Sequence, residues 1–318
     1  MEKLITGLHH VTAISGDAQE SIDFYTGILG LRLVKKTVNF EDPHTYHFYF
    51  GNETGNAGTI MTTFPYGKNL PKGRHGKGKI NTTAFSLPLK SLDYWQGRLE
   101  KYAVAFKQPQ QRLNGEVFIY LEDYDGLGLE LVFSEKENRP GYTFKENLPI
   151  AHSIRGLHHV ELWVEAFERT GALLTTVLNH QLIEEGASRF RYAIEDRPGQ
   201  YIDLLCAPNS LKGLQGRGMV HHVAFATPDA QTQLTLMQAI ETFGLQTTEV
   251  KDRKYFKSIY FNEPSGIIFE IATSGPGFTL DEDLSTLGRT LQLPEQYEEK
   301  RAELHRHLPH FNYPTPTF

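Results

Sequence analysis

Cysteine is almost missing: Cys206 stands alone in 318 residues, so no disulfide can form within the chain. This suits a reducing compartment, and a cytoplasmic protein is expected. No block of like charge is present either. The 32 lysines and arginines are scattered and are outnumbered by 38 aspartates and glutamates, for a net charge of −6. That pattern argues against nucleic acid or an anionic membrane as a partner. No apolar run is long enough to cross a bilayer. Only six residues precede the first strand-like segment at Gly7, so no signal peptide is expected. With 39% hydrophobic residues the chain can build a sizeable core, and its length suits about two domains.

Histidine is not abundant, yet six of the fourteen fall in three matching pairs. The segments are Gly7-Leu-His-His-Val, Gly156-Leu-His-His-Val and Gly218-Met-Val-His-His-Val. Each reads as the start of a short apolar strand. Imidazoles repeated at one place in repeated strands suggest a metal site, because neutral imidazole is a ligand for Fe, Zn, Cu and Ni.

The pairs belong to a larger repeat. Four units, about 5–66, 79–135, 155–208 and 218–273, each open with a strand, continue through an amphipathic helix and close with strands set off by turn residues. Asp17 with Glu20 opens the first helix, and Gly30 stops it. Pro228 and Asp229 open the last one. The expected fold is α+β: four tandem βαβββ modules that pair into two domains with open, cleft-forming mixed sheets. The polar stretch from Glu135 to Ile154 reads as the linker between halves, which sets expected domains at 1–150 and 151–275. A polar tail, 276–318, carries a short helix between Pro294 and His307.

Aligning the unit ends brings Glu130, Asp203 and Glu270 to equivalent places in the last strands. A carboxylate in an alternating strand ordinarily faces solvent, which is the plain reading for Glu130 and Asp203. Glu270 is flanked by Ile267, Ile268, Phe269 and Ile271, so its strand looks covered on both faces. A buried carboxylate needs a partner or a metal. Two histidines and one carboxylate on one face of a metal, with the other face open, is the arrangement of non-heme Fe(II) oxygenases. Mn(II) can substitute.

These modules, opening with Gly-x-x-His-hydrophobic and closing on an embedded Glu, resemble the vicinal oxygen chelate superfamily. It includes glyoxalase I, fosfomycin-resistance proteins and extradiol ring-cleaving dioxygenases. Gly7-Leu-His-His-Val-Thr-Ala-Ile and Val220-His-His-Val-Ala-Phe resemble its hydroquinone 1,2-dioxygenase branch. The resemblance spans residues 5–275. It implies His10, His222 and Glu270 as metal ligands, and His9, His221, Tyr260 and Arg253 as catalytic neighbours. It also implies a small aromatic substrate (hydroquinone or catechol), dioxygen, and self-association into a homo-oligomer. A strand alternates faces, so His9 and His221 are expected to diverge from their neighbours. Tyr260 reads equally as a core aromatic, and Arg253 as a solvated loop charge.

The pairing of modules decides between two ligand sets. Catechol extradiol enzymes resemble a set of His159, His222 and Glu270; the hydroquinone branch uses His10 from the first module. The whole opening motif favours His10, which leaves His159 in a second cleft facing Thr83, Glu130 and Asp203. An isomerase or lyase of the glyoxalase type usually needs a fourth ligand, yet the place opposite Glu270 falls near Met61 and Thr62. A metal-free protein that sequesters a planar ligand is the remaining class, and three intact ligands argue against it.

Overall fold

The computed structural model describes residues 4–112, 114–144 and 148–313. Its first module holds β1 (Gly7–Ser15), α1 (Ala18–Ile22), β2 (Arg32–Val38), β3 (Tyr46–Gly51) and β4 (Ile60–Pro65). The second holds β5 (Lys79–Pro88), α2 (Leu92–Lys101), β6 (Gln110–Gln111), β7 (Val117–Glu122) and β8 (Gly128–Ser134). The third holds β9 (Gly156–Val164), α3 (Glu168–Thr176), β10 (Gln181–Glu185), β11 (Arg189–Ala193) and β12 (Tyr201–Cys206). The fourth holds β13 (Met219–Thr227), α4 (Ala230–Thr242), β14 (Lys251–Asp252), β15 (Lys257–Asn262) and β16 (Ile268–Thr273).

Four βαβββ modules therefore form two eight-stranded mixed sheets, ordered β14-β15-β16-β13-β1-β4-β3-β2 and β10-β11-β12-β9-β5-β8-β7-β6. The first joins module one to module four, and the second joins module two to module three. The sheets thus do not follow the expected division into 1–150 and 151–275. The reason lies in the opening strands: β1 pairs antiparallel with β13, and β5 with β9. The linkers before β5 and before β13 meet each other, with bridges between Lys72 and Arg217, Arg74 and Leu214, and Lys77 and Lys212. Glycine is required there, because a Cβ on Gly76 would lie 2.2 Å from the Leu211 carbonyl oxygen.

Along β1, Leu8, Val11 and Ala13 turn to the main core, which also takes Ile22 and Leu29 from the helical segment. Asp17 caps α1 by accepting from the Glu20 N–H at 3.1 Å. Beyond Ile22 the helix widens into a π turn over Asp23–Ile28, where a regular helix was expected. The opposite face of the sheet is the cleft. Its far end is closed by a second buried cluster in which Phe278 and Leu287 of the tail pack on Tyr49, Tyr255 and Phe256. The tail helix α5 (Arg301–His307) buries Leu304 against Val38 and Leu293. The end of the tail, 314–318, lies outside the described residues. Among the described residues no helix is long and apolar enough to cross a membrane.

Candidate metal centre

Two rows of side chains cross the first sheet on its cleft face. In one, Tyr260 of β15 registers with Glu270 of β16, Glu270 with Ala224 of β13, and Ala224 with His10 of β1. In the other, His222 registers with Thr12, Thr12 with Thr62 of β4, and Thr62 with Tyr49 of β3. The rows are related by the pseudo-two-fold between modules one and four: His10 matches His222, Ala224 matches Thr12, Glu270 matches Thr62, and Tyr260 matches Tyr49. Ala224 matters for its smallness. It lies between His10 and Glu270, and a methyl group leaves room for the two longer side chains to converge above it.

They do converge. The His222 Nε2 lies 3.0 Å from Glu270 Oε2, the His10 Nε2 3.4 Å from the same oxygen, and the two Nε2 atoms are 3.3 Å apart. All three residues are buried, at 1%, 5% and 0% exposure for His10, His222 and Glu270. Cis ligands on a metal with bonds of about 2.1 Å stand roughly 3 Å apart, so this spacing fits a single ion. Ser258 donates to Glu270 Oε1 at 2.5 Å, while Oε2 is buried without an aligned hydrogen-bond donor. Burial opposes charge on Glu270, but His10 and His222 outweigh it and hold the carboxyl well below the usual range. Burial lowers His222 despite Glu270, so its imidazole is neutral. An ionised carboxylate and a neutral imidazole, the states of Glu270 and His222, are those that bind a divalent metal. Among the described residues this is a group of three potential ligands close enough to hold an ion.

His9 and His221 do not diverge from their neighbours. The Nδ1 atoms of His9 and His10 are 2.9 Å apart, and those of His221 and His222 are 2.8 Å apart. The cause is a pair of β-bulges. The β1–β13 register steps from Leu8–Phe225 to His10–Ala224, passing His9, and from Thr12–His222 to Ala13–Val220, passing His221. An extra residue in one strand breaks the alternation and turns two successive side chains to one side. Each pair thus uses its Nδ1 atoms on one another and leaves the Nε2 of the second histidine facing the centre. Burial, then the neighbouring imidazole, pushes His9 and His221 down to about 3, so both are neutral. His9 packs against Phe256 with ring centroids 5.0 Å apart and does not line the cleft, whereas His221 does.

The centre opens on a cavity of about 320 Å³ lined by Phe40, Phe64, Phe256 and Ile268, with His47, Tyr49, Arg253 and Tyr260 as polar walls. Arg253 is not a free loop charge. Its Nε donates to the Tyr260 hydroxyl at 3.1 Å and its Nη1 pairs with Glu41 at 2.8 Å. Burial and Glu270 raise the Tyr260 phenol above its ordinary value, against the pull of Arg253, so it is protonated. Sequence reasoning missed Ser258, His47, Tyr49 and Glu41. The alternation of β3 signalled that His47 and Tyr49 share a face, but not which one.

The second sheet repeats the frame with other chemistry. His158 and His159 share a Nδ1–Nδ1 contact of 2.9 Å at a similar bulge. His159 Nε2 lies 3.5 Å from both Glu130 Oε2 and Asp203 Oδ2. An Arg189 guanidinium stands 3.4 Å from that nitrogen and pairs with Asp203 and Glu161. Arg191 also pairs with Asp203, and Arg112 with Glu130. The place equivalent to His222 is taken by Thr82, which registers with Glu161, while Thr83 pairs with Val160. His159 is therefore in a different sheet from His222 and Glu270, and the set His159, His222 and Glu270 is not assembled.

Residues 7–131 and 156–271 match the model of the glyoxalase/bleomycin resistance protein/dioxygenase superfamily. Over 308 residues the chain is 40% identical to a Bacillus subtilis protein named "Putative ring-cleaving dioxygenase MhqO", covering 97% of each chain. It is 32% identical over 310 residues to the chlorohydroquinone/hydroquinone 1,2-dioxygenase of Sphingobium indicum, covering 95% of each. The crystal structure of a putative dioxygenase from Bacillus subtilis superposes with a TM-score of 0.92 at 40% identity, covering 97% of this chain and 98% of that one.

Proposed function

Because the chain belongs to the glyoxalase/bleomycin resistance protein/dioxygenase superfamily, we propose that it is a ring-cleaving dioxygenase of the cytoplasm, extradiol-type in its chemistry, that opens a hydroquinone-type ring with both atoms of dioxygen. His10, His222 and Glu270 hold Fe(II), with Mn(II) as the alternative ion. The observation that carries the reading is the convergence of these three side chains on the rim of an aromatic cavity, with Thr62 at the place symmetric to Glu270. A glyoxalase-type isomerase would want a fourth ligand there, and a threonine held by other hydrogen bonds leaves that side open.

Iron(II) held by His10, His222 and Glu270 would supply Lewis acidity and a redox couple, the chemistry that lets an electron-rich ring react with dioxygen. The chain's own groups do the rest. With Nε2 reserved for the metal, the proton of His10 is on Nδ1 and is donated to His9; this fixes the ring plane and its basicity. His222 donates to His221 in the same way, so the proton of His221 is on Nε2, where it is a donor to a substrate oxygen rather than a base. Tyr260 accepts from Arg253, so its own O–H turns to an acceptor, which is the Ser258 oxygen beside it or the oxygen of the bound phenolate. Phe256 and Phe64 give the ring a dry, apolar bed.

The test is anaerobic purification, Fe(II) loading, and oxygen uptake with methylhydroquinone and catechol side by side. Iron near one per chain with uptake on methylhydroquinone is the expected result. No uptake on either diol after iron loading would sink the reading.

A further inference from the structure

The two tyrosines related by the pseudo-two-fold are wired in opposite senses. Tyr260 registers with Glu270, and Ser258, two residues before it, bonds to that carboxylate. Tyr49 registers with Thr62, and His47, two residues before it, bonds to that threonine at 2.9 Å. The position that is a ligand in module four has thus become a hydrogen-bonding link in module one. Thr62 donates its proton to Thr12 at 2.8 Å, so its oxygen accepts from His47 Nε2. His47 Nδ1 is then an acceptor and takes the proton of the Tyr49 hydroxyl at 2.9 Å. A chain that starts at Thr12 leaves the Tyr49 oxygen with only lone pairs to offer.

Both phenols line the cavity. Tyr260 has a proton to give, and Tyr49 has a lone pair. A 1,4-diol ionised at one hydroxyl has the complementary pattern: a phenolate oxygen that accepts and a remote hydroxyl that donates. A 1,2-diol places its second oxygen beside the first, where both can go to one metal ion, and has no hydroxyl left over for Tyr49.

We propose that Tyr49, held in place by His47, accepts the hydrogen bond of the ring hydroxyl that is not on the metal, and so selects a 1,4-diol over a 1,2-diol. This rests on the dioxygenase reading above. Tyr49 touches the substrate; His47 is a positioning residue that acts through it.

The experiment uses the full iron-loaded chain, with anaerobic binding titrations and steady-state oxygen uptake on methylhydroquinone and catechol. Tyr49→Phe keeps the ring and removes the hydroxyl. It is expected to raise Kd and KM for methylhydroquinone about tenfold, as one neutral hydrogen bond would, with kcat changed far less. The constants for catechol stay where they were. His47→Leu shifts the same selectivity ratio in the same direction, because the Tyr49 proton is no longer held away from the cavity. Equal weakening for both diols, or no change for either, overturns the inference while the wild-type activity keeps the dioxygenase reading. A wild type that takes up no oxygen with either diol overturns both.

Discussion

His9 and His10 are neighbours in one strand, yet their Nδ1 atoms meet at 2.9 Å. The same contact recurs at His221–His222 and His158–His159, each time at a bulge. It converts a sequence repeat into an orienting device: the first imidazole fixes the plane and tautomer of the second. His9→Leu keeps His10, His222 and Glu270 but removes that partner. Metal affinity, measured by competition with a chelator, is expected to fall about 10- to 100-fold.

Ligand identity is separable from this. His10→Ala should lose both the iron and the oxygen uptake. His159→Ala should keep the iron, since His159 lies in the second sheet beside Arg189. Iron per chain, measured on both variants after the same loading, checks the pair; iron lost from His159→Ala and kept in His10→Ala would invert the assignment.

Ala224 lies under the metal centre in the row from Glu270 to His10, with no exposure. Ala224→Leu fills the space over which those side chains meet. The expected outcome is a stability loss of about 1–3 kcal/mol from overpacking, read from denaturant unfolding, together with loss of bound iron.

Thr62 is the symmetry mate of Glu270. Thr62→Glu places a carboxylate at the fourth corner of the centre. Iron should then be retained longer against a chelator, while oxygen uptake falls because an open coordination position is closed. Faster release of iron would show that the pseudo-symmetry does not extend to coordination.

Away from the centre, burial drives His180 down to about 4 from 6.5, its ring held by the Leu178 carbonyl. Below pH 6.5 the unfolded chain takes a proton here that the native chain refuses until about pH 4. The unfolded state thus binds more protons across that window. Native stability is lost as the pH falls through it, by up to about 3 kcal/mol, and the loss levels off beneath it. His180→Gln should make the acid limb of the melting temperature less steep between those limits than in the wild type, with the slope that remains coming from His9 and His221.

The sequence by itself determined the four modules, the strands that carry them, and the residue types at the centre. Those features are local: alternation sets a strand, a capping aspartate such as Asp17 opens a helix, and a carboxylate among isoleucines advertises burial. Its rule of alternation failed at His9 and His221, because a bulge is set by how two strands register and neither strand records it alone. The module partners were likewise a tertiary decision. The antiparallel pairing of β1 with β13 brings His10 to Glu270, and that of β5 with β9 leaves His159 in the other sheet, beside Arg189 of its own module. His47 and Tyr49 look like any alternating strand until the sheet turns their face into the cleft, where Thr62, the symmetry mate of Glu270, joins them in a hydrogen-bonded chain. Sequence fixes which side chains can do chemistry; long-range strand pairing decides which of them share a volume small enough to do it.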